Sequence, residues 1–421
     1  MTLQQCDAPL SDRSHLTPST SWALLVLSAT QLMVILDGTI VNVALPTIRT
    51  DLGFSDTGLS WVVNAFFVVF AVLLLPAGRL GDLVGRRRVF LAGLALFTVA
   101  SVACGLATGP TWLLTARAVQ GAGGALTSAV VLGMIAGLYV EDAARARAFA
   151  LLAFVGAAGA SIGVVAGGVL TDLVSWRWVF WVNVPLGAVV LVVGALVLAR
   201  DSAPGLGAGL AASKALVPST LLRSRAFLLP NVVLFTMTTA GFSFQFLTAL
   251  YLQDTLRLDA LHTGLAYLPV TLAIAVTSLG LSGRLASRFG PARVLVVGLL
   301  LFVVGMLMMA ALPDHGAYAV HVAPGFVVMG AGFGLAMPQV TALAMAAAPG
   351  DHAGAASGFV GTTQQVGGAV GLAVVALVAV HLGRAGGFLV AAAALAVGTA
   401  VAGYLATGTA TRATSSRANV R

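Results

Sequence analysis

Apolar windows long enough to cross a bilayer recur along nearly the whole chain, and that recurrence constrains the fold more than any other feature. A helix spanning the hydrocarbon core needs roughly 20 apolar residues. Windows of that kind fall at 22–47, 57–79, 88–107, 111–139, 145–170 and 177–199, then at 226–252, 262–283, 291–312, 317–347, 354–381 and 385–406. Only 9% of the residues are charged and 59% are hydrophobic, whereas soluble domains carry roughly 25% charged residues. The expected fold class is therefore an all-α polytopic membrane protein. The first twenty residues are polar, contain acids and lack a cleavage-site pattern, so they are expected to form a cytoplasmic tail rather than a signal peptide.

A net charge of +8 raises the alternative of nucleic-acid binding. The basic residues do not form a continuous face, however. They sit in short turns between apolar runs, as they do on the cytoplasmic side of membrane proteins. With twelve spans, 17 of the 22 basic residues fall on the face that carries both termini. Only Arg49, Arg177, Arg257 and Arg384 lie opposite, and Arg117 falls inside a span. The asymmetry predicts cytoplasmic termini and supports an even helix count.

A repeat divides the chain. Gly78, Arg79, Leu80, Gly85, Arg88, Gly93 and Phe97 recur as Gly283, Arg284, Leu285, Gly290, Arg293, Gly298 and Phe302, at a constant offset of 205. The expected organisation is a tail (1–21), a six-helix bundle (22–199), a linker (200–225), a second bundle (226–406) and a tail (407–421). Six-helix units used twice are common in secondary transporters, with the site at their interface. A phosphate-binding loop is absent, since the one lysine, Lys214, lies between serine and alanine. An ion gradient is thus the expected energy source, with no cofactor. Cys6 and Cys104 are not expected to pair, and the scattered histidines suggest no metal site.

Several motifs resemble one family. GRLGDLVGRRR (78–88) resembles the signature loop of the major facilitator superfamily, and ARAVQGAGGA (116–125) is similar to its Arg-x-x-Gln-Gly motif. LDGTIVNVALP (36–46), WRWVFWVNVPLG (176–187) and GAASGFVGTTQQVGGAVG (354–371) resemble the drug:proton antiporter branch, whose members usually have fourteen helices. The resemblance implies two six-helix bundles related by a pseudo-two-fold axis. Two departures stand out. Only about 25 residues separate Ala199 from Ala226, where an extra helix pair would need roughly 40. In the antiporter motif of the fifth span, Val164 stands where proline is expected.

Asp37 is the one acid deep within a predicted span, and Arg117 the one buried base. Ionisable groups in a membrane are costly and usually functional. Asp37 lies about 15 residues, or roughly 22 Å, from the cytoplasmic end of its span. Arg117 sits about five residues from the outer end of its own span, so in a core of roughly 30 Å the two share one level. The expectation is proton coupling by Asp37 with Arg117 as its charge partner; the alternative is an ion pair that only fixes packing.

In the loop, Gly78 and Gly85 are expected to allow tight turns, and Asp82 to cap the next helix or pair with Arg86, Arg87 or Arg88. The resemblance implies that this cluster latches the two halves; the alternative is a plain basic turn. Gly159, Gly163 and Gly167, followed by Gly168, form a small-residue face of the fifth span. The resemblance places that face against the other half, with static packing as the alternative. Trp176, Trp178 and Trp181 read as an interfacial aromatic belt. Asn42, Asn64, Gln120, Gln245, Gln339, Gln364 and Gln365 are candidate substrate contacts, because polar side chains avoid lipid. Phe66, Phe67, Phe242, Phe244 and Tyr251 are candidates for an apolar cavity wall.

A cavity of apolar walls and one acid suits an amphipathic, often cationic, organic molecule. The leading expectation is a monomeric proton-driven exporter of drug-like or secondary-metabolite compounds, with substrate, protons and lipid as its partners and no nucleic acid. The bias to alanine, valine and arginine over lysine suggests a GC-rich bacterial genome, hence a bacterial cytoplasmic membrane. A nutrient importer would usually show more intramembrane charge. A scaffold or receptor would show long structured loops. An enzyme would show a catalytic constellation, and none is evident in the sequence.

Overall fold

A computed structural model describes residues 18–59, 61–139, 141–199, 219–258, 260–314, 316–348 and 352–418. Twelve long helices dominate these residues. In the first half they are α1 (Pro18–Leu52), α2 (Trp61–Val84), α3 (Arg86–Gly105), α4 (Pro110–Leu138), α5 (Asp142–Leu173) and α6 (Trp178–Val197). In the second half they are α7 (Arg225–Gln253), α8 (His262–Phe289), α9 (Pro291–Ala310), α10 (Tyr318–Ala346), α11 (Ala353–Ala379) and α12 (His381–Thr407). Eleven of them are long and apolar enough to cross a membrane, and α5 adds a 32-residue helix of similar length. The chain is a multi-pass membrane protein with the expected helix count.

Some boundaries differ from the sequence reading. Helix α1 begins four residues before the expected start, and helix continues beyond α12 to Ala418, within the expected tail. A short helix, Ser219–Arg223, occupies the end of the expected linker. Residues 200–218 of that linker, with Lys214, lie outside the described residues, as does Cys6. Gly383, two residues inside the start of α12, kinks the chain through its positive φ of 72°, a conformation that glycine adopts without a steric penalty.

The repeat seen in the sequence is also a repeat of packing. A Cβ on Gly93 would meet the Gly123 carbonyl oxygen and the Thr127 amide nitrogen, each at 2.9 Å. One on Gly298 would meet the Gly332 carbonyl oxygen at 2.9 Å and the Ala336 amide nitrogen at 2.8 Å. Helices α3 and α4 thus approach backbone to backbone as α9 and α10 do, which is what small residues permit in a membrane.

The face opposite the basic loops carries its own ties. Arg177 pairs with Asp51 at 2.8 Å, and Arg384 with Asp314 at 3.0 Å. Trp176 is buried and donates to Asp51 at 2.9 Å, so it belongs to this tie and not to an aromatic belt. Trp178, by contrast, is exposed.

The two halves meet closely at the basic ends of the helices. There α11 packs on α2 and α4, while α8 and α10 pack on α5, α8 along its length from Ala260–Ala266 at the opposite face to the basic end. The Ser278 hydroxyl donates to the Ala150 carbonyl across this junction at 2.8 Å.

Candidate functional site

Asp37 and Arg117 meet, as their common depth predicts. The Arg117 Nη1 donates to Asp37 Oδ2 at 2.5 Å, and both side chains are fully buried. Two carboxamides complete the carboxylate's shell. Gln120 Nε2 and Asn183 Nδ2 each donate to Asp37 Oδ1 at 2.8 Å. Gln120 also accepts from Arg117 at 2.7 Å and donates to the Ser101 hydroxyl at 2.8 Å. The thiol of Cys104, which is free and buried, reaches Gln120 Oε1 at 3.5 Å. Arg117 Nε donates to the Val62 carbonyl at 2.9 Å, and the guanidinium lies 4.5 Å from the centre of the Phe66 ring. One network therefore joins α1, α2, α3, α4 and α6. Its acid is an acceptor of three N–H groups, the arrangement that a buried carboxylate requires.

Gln120, a candidate substrate contact by sequence, belongs to this network and not to a cavity. Asn183 and Ser101 were not candidates. Asn183 sits within WVNVP, and only its position near the level of Asp37 could have marked it.

The 78–88 loop departs from expectation in detail. Asp82 does not cap α3, whose start has no side-chain cap. It instead accepts the backbone N–H groups of Gly354 and Ala355, each at 2.7 Å, and so caps α11 of the opposite half. Arg86 donates to the same carboxylate at 3.1 Å. A carboxylate at a helix N-terminus meets both unpaired donors and the positive end of the helix dipole.

Gly78 lies inside α2 and makes no turn. A Cβ there would strike the Gly354 carbonyl oxygen and come within 2.9 Å of the Gly358 Cα, so its role is close approach to α11. Gly85 does make a turn, with φ at 112°. Arg87 donates to the Ala195 carbonyl at 2.6 Å and Arg88 to the Val84 carbonyl at 3.4 Å, both within the first half.

The glycine face of α5 packs on α1 of its own half, and not against the other half. A Cβ at Gly163 would collide with Thr39, one at Gly167 would lie 2.6 Å from the Ile40 carbonyl oxygen, and one at Gly159 would lie 3.0 Å from Leu32. Gly168 is looser, 3.9 Å from Val43. Helix α5 meets the second half elsewhere, along α8 and α10, with the Ala150 carbonyl accepting from Ser278.

Between the halves lies a cavity of about 650 Å³. Asn42, Gln245, Gln364 and Gln365 line it, together with Phe242 and Phe244. Gln31, Gln253 and Tyr267 line it too, although the sequence did not single them out. The other candidates lie elsewhere. Asn64 is exposed but not on the wall. Gln339 is buried and donates to the Ser282 hydroxyl at 2.8 Å, tying α10 to α8. Tyr251 donates to the Pro313 carbonyl at 3.0 Å, and Phe66 lies under Arg117. Asp37 is not on the wall either. Phe66 stacks on Phe70 with ring centres 5.7 Å apart, and Phe70 faces the cavity. An aromatic pair therefore stands between Arg117 and the cavity.

Two six-helix bundles enclosing a central cavity, with a buried ion pair in one bundle, define a membrane solute carrier. The chain belongs to the Major Facilitator Superfamily, whose family profile matches residues 27–372. It is 36% identical over 405 residues to the puromycin resistance protein pur8 of Streptomyces alboniger, covering 84% of this chain and 80% of that one. It is 35% identical over 417 residues to the cephamycin export protein CmcT of Amycolatopsis lactamdurans, covering 86% and 85%. Among solved structures, the human organic anion transporter MFSD10 superposes with a TM-score of 0.74 at 16% identity, covering 92% of this chain and all of that one. The transporter FucP in its outward conformation superposes with a TM-score of 0.71 at 17% identity, covering 92% and 99%. These two likenesses establish the fold.

Proposed function

We propose that this protein is a proton-driven exporter of amphipathic organic compounds, antibiotics among them, in a bacterial cytoplasmic membrane with both chain ends on the cytoplasmic side. The observation that carries the reading is the sealed network around Asp37. When Asp37 takes up a proton, Arg117 loses its counter-charge and one acceptor becomes a donor. The three N–H groups that converge on the carboxylate then cannot all be satisfied. Because the network joins five helices of the first half, that loss is felt across the whole bundle.

The latch gives the second element. Asp82 on the start of α11 holds the basic face closed, and the central cavity is then served from the opposite face. Export follows from alternation between this arrangement and one with Asp82 released. The resistance and export functions in the names of the relatives support the direction of transport, and the arginine asymmetry supports the orientation.

The test is a resistance and accumulation panel in a pump-deficient bacterium, comparing wild type with Asp37→Asn, with and without an uncoupler. Uncoupler-sensitive efflux in the wild type and none in the variant is the expected result. Full proton-coupled transport by Asp37→Asn would show the pair to be structural only.

A further inference from the structure

The cavity wall carries no formal charge among the described residues. No Asp, Glu, Lys, Arg or His lines it. Its polar groups are hydroxyls and six carboxamides, Gln31, Asn42, Gln245, Gln253, Gln364 and Gln365, drawn from α1, α7 and α11. The side chains of Gln31, Gln245, Gln364 and Gln365 make no hydrogen bond within the described protein, which leaves them free for a ligand. Each carboxamide offers both donors and an acceptor. Flat aromatic surface is supplied by Phe70, Phe242 and Tyr267.

The nearest buried charges do not change this account. Asp37 and Arg117 are fully buried, neutralise each other at 2.5 Å and do not line the cavity, and Arg117 stands behind the Phe66–Phe70 pair. A cationic solute in this cavity would lose its hydration and meet no counter-charge, which is strongly unfavourable. A neutral solute rich in carbonyl and hydroxyl groups would find a partner for each.

We infer that the cavity selects an uncharged, ring-bearing solute decorated with carbonyl and hydroxyl groups, and discriminates against its cationic analogue. This rests on the cavity being the transport site and replaces the expectation of a cation held by an intramembrane acid. It does not depend on the proton step.

A matched pair of fluorescent anthracyclines tests it. Daunorubicin carries an amine that is protonated at neutral pH, and N-acetyl-daunorubicin has the same rings without the charge. Binding of each to the purified full-length protein in lipid nanodiscs is read by fluorescence titration. The expected result is tighter binding of the neutral form by about tenfold or more. Gln245→Glu, which places a carboxylate on the wall, should reverse the preference; Gln364→Glu is the second such variant in case the first is poorly folded. Equal or tighter binding of daunorubicin by the wild type overturns the inference, and so does the absence of saturable binding of either compound. Loss of proton-driven efflux with the neutral preference intact removes the coupling mechanism and leaves this inference standing.

Discussion

Asp82→Asn should unlatch the basic face, with the Arg86 ion pair the one contact inside the first bundle that it also weakens. In the structure the Asp82 carboxylate is almost fully buried and accepts two backbone N–H groups of α11 at 2.7 Å and Arg86 at 3.1 Å. Hydrogen bonds to a charged group contribute about 1.5–3 kcal/mol each, against about 1 kcal/mol for a neutral pair. The helix N-terminus adds roughly 0.3–1 kcal/mol for a negative charge. An asparagine retains one acceptor oxygen, so one N–H bond survives in neutral form and the other is lost. The net loss is about 2 kcal/mol at the least, which shifts the balance between closed and open basic faces by roughly 30-fold or more. Spin labels on the exposed residues Glu141 and Ser287, one in each half, would read the change as a longer distance. Cys6 would be replaced by serine for this purpose, and Cys104 is buried beyond reach of the label. An unchanged distance distribution in Asp82→Asn would refute the latch.

Three further outcomes follow from the same geometry. Asn183→Leu removes one of the three donors to Asp37 and should cost about 1.5–3 kcal/mol of stability; a melting temperature equal to wild type would show that Asn183 is dispensable to the network. Gly78→Ala forces a methyl into the α11 backbone and should abolish transport while leaving membrane insertion normal, as checked by efflux in cells with matched protein levels. Gly85→Ala places a side chain at a φ of 112° and should destabilise the first half by about 1–2 kcal/mol, measurable by thermal unfolding in detergent.

Depth along a helix was legible in the sequence, because each residue adds a fixed rise. That is why the level of Asp37 and Arg117, and hence their pairing, could be worked out by counting. Azimuth was not legible. Asn183 and Ser101 turn toward the acid, and Asn64 turns away from the cavity, but all three are uncharged polar residues in apolar runs. Small-residue faces share this ambiguity. The spacing of Gly159, Gly163 and Gly167 announces a close helix partner without saying which, and the partner is α1 and not the second half. Asp82 shows the complementary limit. Its chemistry as a capping group was evident, but the helix it caps begins 272 residues later in the chain. The twelve spans, by contrast, followed from apolar length alone, because lipid leaves a backbone little choice but to satisfy its own hydrogen bonds.

The placement of the acid behind the cavity wall bears on energetics at the scale of the cell. If the solute is neutral and one proton is exchanged for it, each cycle carries one net positive charge inward. The membrane voltage then works on the pump directly, at about 2.3 kcal/mol per charge for each 100 mV. That corresponds to a solute gradient of roughly 50-fold per 100 mV. A pump exchanging one proton for a cation moves no net charge and draws only on the pH difference. On the proposed proton-driven reading, a neutral solute makes export run on voltage, and export should then persist in a cell whose cytoplasm and surroundings have the same pH.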